Sequence, residues 1–170
     1  YGLGWFLEDY RGQWVAMHTG SIDGMVAIIG LIPDQHIGVY VLANLDHAEV
    51  RHALMYRAFD LYLGGAPRDW SRDMHAMYDG IAAQGRKAEQ DVVASRVAGT
   101  SPSLPLEKYA GTYADSLVGT ATVSMSNGRL RLAIGKGFAG PLEHWNYDTF
   151  KVTWDDRRAG WSLVTFVVDA

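Results

Sequence analysis

The residues best suited to chemistry sit together in Trp14-Val15-Ala16-Met17-His18-Thr19-Gly20-Ser21-Ile22-Asp23-Gly24. His18 and Thr19 bring an imidazole and a hydroxyl to consecutive positions. Gly20, lacking Cβ, leaves a strand surface open to close approach by another backbone. The plain alternative is a strand end followed by a turn. Elsewhere the chemistry thins out. Cysteine is absent, which excludes disulfides, thiolate catalysis and Cys-ligated zinc. Asp46, His47, Glu49 and His52 are ligand-type side chains, but they fall on different faces at a helix start. The Asp46/Glu49 spacing reads as a capping box, so no metal and no cofactor is assigned. Gly135-Lys136-Gly137 lacks the Ser/Thr and the helix that a phosphate loop needs. Trp145, Tyr147, Phe150, Trp154 and Trp161 could line a pocket, though ordinary core filling accounts for them better. His144 reads as structural. No Gly-x-Ser-x-Gly elbow occurs.

The elements that would carry these residues fall into blocks. In residues 1–64, strands are expected near 3–7, 13–18, 25–32 and 36–43. Glu8-Asp9-Tyr10-Arg11-Gly12 and Pro33-Asp34-Gln35 serve as turns, so neighbouring strands are antiparallel. The runs 25–32 and 37–43 are almost continuously apolar, which predicts cover on both faces. A helix follows over 46–63, with Val50, Ala53, Leu54, Ala58, Leu61 and Tyr62 at helical spacing and Gly64-Gly65 and Pro67 to end it. Residues 65–103 read as a helical connector and linker. One short helix is expected there, carrying Trp70, Met74, Met77, Tyr78 and Ile81 as a packing stripe and weakened by Gly80 and Gly85. Residues 104–170 switch to a period of two. Strands are expected near 109–114, 119–126, 129–134, 140–145, 149–154 and 161–168, with Asn127-Gly128 as a hairpin turn. The fold class is therefore α+β: an antiparallel sheet with a C-terminal helix, a linker, then a small antiparallel barrel or sandwich.

Composition narrows the partners. With 170 residues, the chain has room for one domain or two small ones. The net charge is 15 − 19 = −4, and no basic block occurs. A nucleic-acid partner is therefore excluded in this reading. No apolar run approaches the ~20 residues of a membrane span. Both ends are abrupt and apolar, Tyr1-Gly2-Leu3-Gly4-Trp5-Phe6 and Val164-Thr165-Phe166-Val167-Val168. They read as the ends of a piece of a longer protein.

His18-Thr19-Gly20, with Tyr1-Gly2-Leu3-Gly4-Trp5 before it and Ile37-Gly38-Val39-Tyr40-Val41-Leu42-Ala43-Asn44 after it, resembles the C-terminal part of the serine β-lactamase-like superfamily. The branch is that of class C β-lactamases, DD-peptidases and related esterases. The resemblance implies that His-Thr-Gly lies on an edge strand beside a serine nucleophile. It places a backbone oxyanion donor at Ser21, and His18, Thr19 and Gly20 against the substrate. It also implies an extracytoplasmic location and a small-molecule or peptide substrate cleaved at an amide or ester through an acyl-enzyme. The family's Ser-x-x-Lys and Tyr-x-Asn are absent from residues 1–170, so the chain alone is expected to be inactive.

Leu106-Glu107-Lys108-Tyr109-Ala110-Gly111-Thr112-Tyr113, Leu142-Glu143-His144-Trp145-Asn146-Tyr147-Asp148-Thr149-Phe150 and Phe166-Val167-Val168-Asp169 resemble the lipocalin-like domain that often follows this hydrolase domain. The implied organisation is 1–64 as the C-terminal part of the hydrolase domain, 65–103 as connector, and 104–170 as a lipocalin-like barrel. Six strands against the roughly eight of such a barrel would leave it incomplete. Open sheet edges and uncovered faces predict a homo-oligomer, or pairing with the missing half of the hydrolase domain. The rival readings are a non-catalytic binding or assembly module that works through the barrel, and a degenerate hydrolase homologue serving as a structural partner.

Overall fold

A computed structural model describes residues 1–22, 24–45 and 49–168. The chain divides into two compact units, Tyr1–Glu89 and Gln90–Ala170, and the class is α+β.

The first unit carries β1 (Phe6–Tyr10), β2 (Gln13–Ile22), β3 (Met25–Ile32) and β4 (Ile37–Ala43) in the order β1-β2-β3-β4, all antiparallel. β1 begins later than its sequence suggests, and its turn is shorter. Tyr10 pairs with Gln13, so only Arg11 and Gly12 remain to turn, both at positive φ (55° and 75°). That geometry is the type I′ hairpin, whose twist suits antiparallel strands. Pro33–Gln35 makes a single 3-10 turn into β4.

Helix α1 (Val50–Leu63) lies on one face of this sheet. Met55 and Phe59 pack there with Val15, Ile28 and Ile32. Gly30 is required at the crossing, because a Cβ would fall 2.8 Å from the Phe59 ring and against the Met55 sulfur. Two expectations are corrected. The apolar runs of β3 and β4 are covered on one face only; Tyr40 and Leu42 are 68% and 80% exposed on the other. The helix also buries a different stripe. Arg51, His52, Ala53, Met55, Phe59 and Asp60 are inside, whereas Val50, Leu54, Leu61 and Tyr62 are exposed. Apolar residues surround α1, so spacing alone could not select its inner face. Asp46 lies outside the described residues. Glu49, at the helix start, makes no side-chain cap.

Helix α2 (Trp70–Ala94) is one continuous helix of 25 residues rather than a short one. It runs through Gly80 and Gly85. Their cost of about 1 kcal/mol each is outweighed by the Ala, Gln, Arg, Lys and Glu around them, all good helix formers. Of its expected packing stripe, only Trp70 is buried. Among the described residues, no helix is long and apolar enough to cross a membrane.

The second unit is a six-stranded antiparallel meander: β5 (Gly111–Asp115), β6 (Gly119–Ser126), β7 (Arg129–Ile134), β8 (Phe138–Asn146), β9 (Thr149–Thr153) and β10 (Trp161–Thr165), paired in sequence order. Asn127 and Gly128 turn the β6–β7 hairpin at φ of 51° and 73°. The sheet curls into a half-barrel around Tyr109, Val123, Leu130, Leu132, Leu142, Phe150 and Val152. It is not a closed barrel.

Candidate functional site

β1 runs along β2 only as far as Met17, which faces Phe6. β2 continues to Ile22, held on its other side by β3, with His18 opposite Ile29, Gly20 opposite Ala27 and Ser21 opposite Val26. His18, Thr19, Gly20 and Ser21 are therefore brought together on a strand segment that overruns the first strand of the sheet. Side chains alternate across this segment. His18 and Gly20 share the face away from α1, while Thr19 and Ser21 share the other.

The His18 imidazole is clasped by aromatics. Its ring stacks on Phe6 at 5.8 Å between centroids, and its Nε2 lies 3.4 Å from the Tyr1 hydroxyl. Beside it, Gly20, Ser21, Ile22, Met25, Ala27 and Leu42 help line an open recess of about 600 Å³. Its walls are mainly apolar, and Ser21 and Asn44 are the polar side chains among its lining residues.

Beneath the strand lies a cluster whose central residue, Arg51, sequence reasoning missed. Arg51, 6% exposed, donates from Nη1 to the Gly20 carbonyl at 2.9 Å. Its Nη2 lies 3.2 Å from Glu49 Oε2. His52 Nδ1 is 3.7 Å from the same carboxylate oxygen and 3.2 Å from the Tyr78 hydroxyl. Burial, then the Arg51 charge, holds the His52 imidazole below its ordinary range, which keeps it neutral beside the guanidinium. The signal for Arg51 was a charged residue one step off the apparent apolar stripe of α1. Spacing alone does not reveal that it faces inward.

A second polar knot ties the hairpin to both helices. Asp60, 2% exposed, accepts from the Tyr10 hydroxyl at 2.5 Å and from Trp70 Nε1 at 2.7 Å, and pairs with Arg11 at 3.0 Å. Burial pushes its carboxyl up, but these donors outweigh burial and hold it below the ordinary value. Burial and a 2.9 Å bond to Glu8 push the neighbouring Tyr56 hydroxyl up.

Among the described residues, no group of three or more His, Asp and Glu side chains is placed to hold a metal ion; Asp46 and His47 lie outside them. Gly135-Lys136-Gly137 is the turn between β7 and β8. Phe150 fills the core, Trp145 stacks on Trp161 at 6.0 Å, and Trp154 meets Phe138 edge-on. His144 Nε2 lies 2.9 Å from the Tyr147 carbonyl.

Comparison with known proteins adds an independent line. Residues 95–170 match the family model described as "Domain of unknown function (DUF3471)". The chain is 30% identical over 121 residues to the unguisins hydrolase of Aspergillus campestris, covering 66% of this chain and 22% of that protein. It is 32% identical over 121 residues to the unguisins hydrolase of Aspergillus violaceofuscus, covering 66% and 21%. The chain thus spans about a fifth of the length of the curated relatives it matches. Among solved structures, the C-terminal domain of a penicillin-binding protein is 40% identical, covering 43% of this chain and 76% of that one, with a TM-score of 0.38. The sequence matches relate the chain to proteins named as hydrolases.

Proposed function

We propose that this chain is the C-terminal part of a serine hydrolase of the β-lactamase and penicillin-binding-protein-like superfamily, which cleaves an amide or ester through an acyl-enzyme. Residues 1–64 belong to the hydrolase domain, 65–103 connect, and 104–170 form an incomplete, half-barrel lipocalin-like module. The Ser-x-x-Lys nucleophile and the Tyr-x-Asn motif lie outside residues 1–170. Ser21 N–H donates to the tetrahedral oxyanion, while His18, Thr19 and Gly20 border the substrate, a small molecule or peptide.

The observation that carries this reading is the overrun of β2 past Met17. It sets His18-Thr19-Gly20-Ser21 at the margin of a sheet, beside an apolar recess, where a carbonyl can approach the strand. The hydrolase names of the relatives support the same class. An oxyanion donor acts by being fixed before charge develops, and a β-strand backbone provides that rigidity.

The test is made in the full-length gene product, assayed with p-nitrophenyl butyrate and a chromogenic cephalosporin. Ser21→Pro deletes the backbone donor and is expected to lower kcat by about 100- to 1000-fold, with the melting temperature checked to confirm folding. A folded Ser21→Pro protein with wild-type turnover removes Ser21 from the site. An upstream sequence without Ser-x-x-Lys removes the hydrolase reading altogether.

A further inference from the structure

We infer that Arg51 is a positioning residue that fixes the orientation of the Gly20–Ser21 peptide, and so the aim and strength of the Ser21 N–H. This inference rests on the oxyanion role proposed for Ser21.

The Gly20 carbonyl and the Ser21 N–H belong to one peptide unit. Such a unit is planar, and in its usual trans form the C=O and N–H point in opposite directions. Tying down the oxygen therefore sets where the hydrogen points. Arg51 Nη1 holds that oxygen at 2.9 Å, from a side chain that is nine-tenths buried. A guanidinium at low dielectric also draws electron density toward the carbonyl oxygen and polarises the N–H at the far end. The effect is that of a charge-assisted bond, stronger than a neutral one.

Arg51 is itself held. Glu49 Oε2 lies 3.2 Å from Nη2, and both side chains are largely enclosed. Its place near the start of α1 anchors it to a helix seated on β3 and β4 by Met55 and Phe59. A buried cation is costly unless it is paired and hydrogen-bonded. Here one group meets the helix-start carboxylate and the other meets the motif strand. A plain structural ion pair would need only Glu49; the bond to Gly20 is what couples the helix to the site.

The inference is tested on two readouts. In the 170-residue chain, NMR follows the Gly20 carbonyl carbon and the Ser21 amide. The double variant E49Q/R51M removes both buried charges at similar size. It is expected to move both signals and to speed Ser21 amide exchange by about tenfold, while signals of β6 to β9 stay in place. R51K, which retains a shorter cation, is expected to recover part of the change. In the full-length gene product, E49Q/R51M is expected to lower kcat on p-nitrophenyl butyrate by about 10- to 100-fold with KM within twofold, and R51K to fall between.

Unchanged Gly20 and Ser21 signals in a folded E49Q/R51M chain overturn the anchoring. A full-length protein that loses turnover with Ser21→Pro but keeps it with E49Q/R51M overturns the inference and leaves the Ser21 reading standing. Turnover that survives Ser21→Pro overturns the Ser21 reading instead. A wild-type protein inert to the ester and the cephalosporin overturns the hydrolase reading, and NMR then decides the anchor alone.

Discussion

The Tyr10 hydroxyl donates to the Asp60 carboxylate across 2.5 Å, joining the end of β1 to the last turn of α1. Trp70 Nε1 reaches the same carboxylate at 2.7 Å, and Arg11 lies 3.0 Å away. One buried anion therefore organises the first hairpin, α1 and the start of α2. The sheet that carries His18 to Ser21 is registered against its helix by this knot as well as by apolar packing.

Asp60→Ala leaves a half-buried tyrosine hydroxyl and a buried indole N–H without their acceptor. A loss of about 3 kcal/mol is expected, read by urea unfolding. The pH dependence follows from the sign of the shift. The folded carboxyl is held below its unfolded value, so its contribution is present above the ordinary carboxylate range and is lost as pH falls through it. Wild-type stability should drop on acidification below about pH 4, more steeply than that of Asp60→Asn. Parallel pH profiles for the two proteins would exclude this role.

Gly30→Ala forces a methyl group against Met55 and Phe59 at the seat of α1. Overpacking of this kind costs about 1–3 kcal/mol. Thermal melting should show the loss, and Gly30→Ala combined with Phe59→Leu should recover part of it. No loss in the single variant would mean that the helix shifts freely on the sheet, which would also weaken the case for Arg51 as a fixed anchor.

How much of this was legible in the sequence varies with the range of the forces involved. The β6–β7 hairpin was readable because Asn127-Gly128 needs only its own φ angles. β3 was readable in extent because its apolar run ends at Pro33. The buried face of α1 was not, since its interior carries Arg51, His52 and Asp60 while Leu54, Leu61 and Tyr62 lie outside. Polar residues enter a core when partners from other elements satisfy them, and Gly20, Tyr10 and Tyr78 lie 31, 50 and 26 residues from Arg51, Asp60 and His52. The motif His18-Thr19-Gly20-Ser21 was legible by type; its anchoring by Arg51 required the register of α1 against β2. The length of α2 was hidden by two glycines whose local penalty the surrounding helix formers exceed.

Tyr109 is the counterpart of Asp60 in the second unit. Its buried hydroxyl donates to Asp148 and accepts from the Leu104 amide at 3.1 Å. Ser103 adds two bonds to Asp148, at 2.8 and 2.7 Å. Tyr109→Phe strands the Leu104 N–H and should cost about 1–3 kcal/mol, detected as a lower melting temperature of the sheet Gly111–Thr165. Retained stability would show that water replaces the hydroxyl.

The chain lacks Ser-x-x-Lys and Tyr-x-Asn, and acyl transfer of the proposed type fails without its nucleophile. Neither a fluorophosphonate nor a penicillin probe is expected to label residues 1–170, as judged by intact mass. Stoichiometric labelling of any serine in this chain would place a nucleophile here and refute the proposed division of the site.

The face of the first sheet away from α1 bears directly on association. The strand register puts Trp14, Ala16 and Ile22 of β2, Met25, Ala27, Ile29 and Leu31 of β3, and Tyr40 and Leu42 of β4 on that one face. Trp14, Ile22, Met25, Tyr40 and Leu42 are exposed. A contiguous apolar surface of this kind drives association in water. In the isolated chain, a second copy is the available cover. The wild-type chain should therefore scatter light as a dimer or larger. Tyr40→Thr with Leu42→Thr keeps β-branched character in β4 while removing its two most exposed apolar side chains. That variant should shift toward the 18.8 kDa monomer, with a melting temperature within about 2 °C of wild type once self-association is diluted out, because exposed substitutions change stability by only about 0.5 kcal/mol. A monodisperse wild-type monomer at the same concentration would show that this face is tolerated in water and would remove it as an interface.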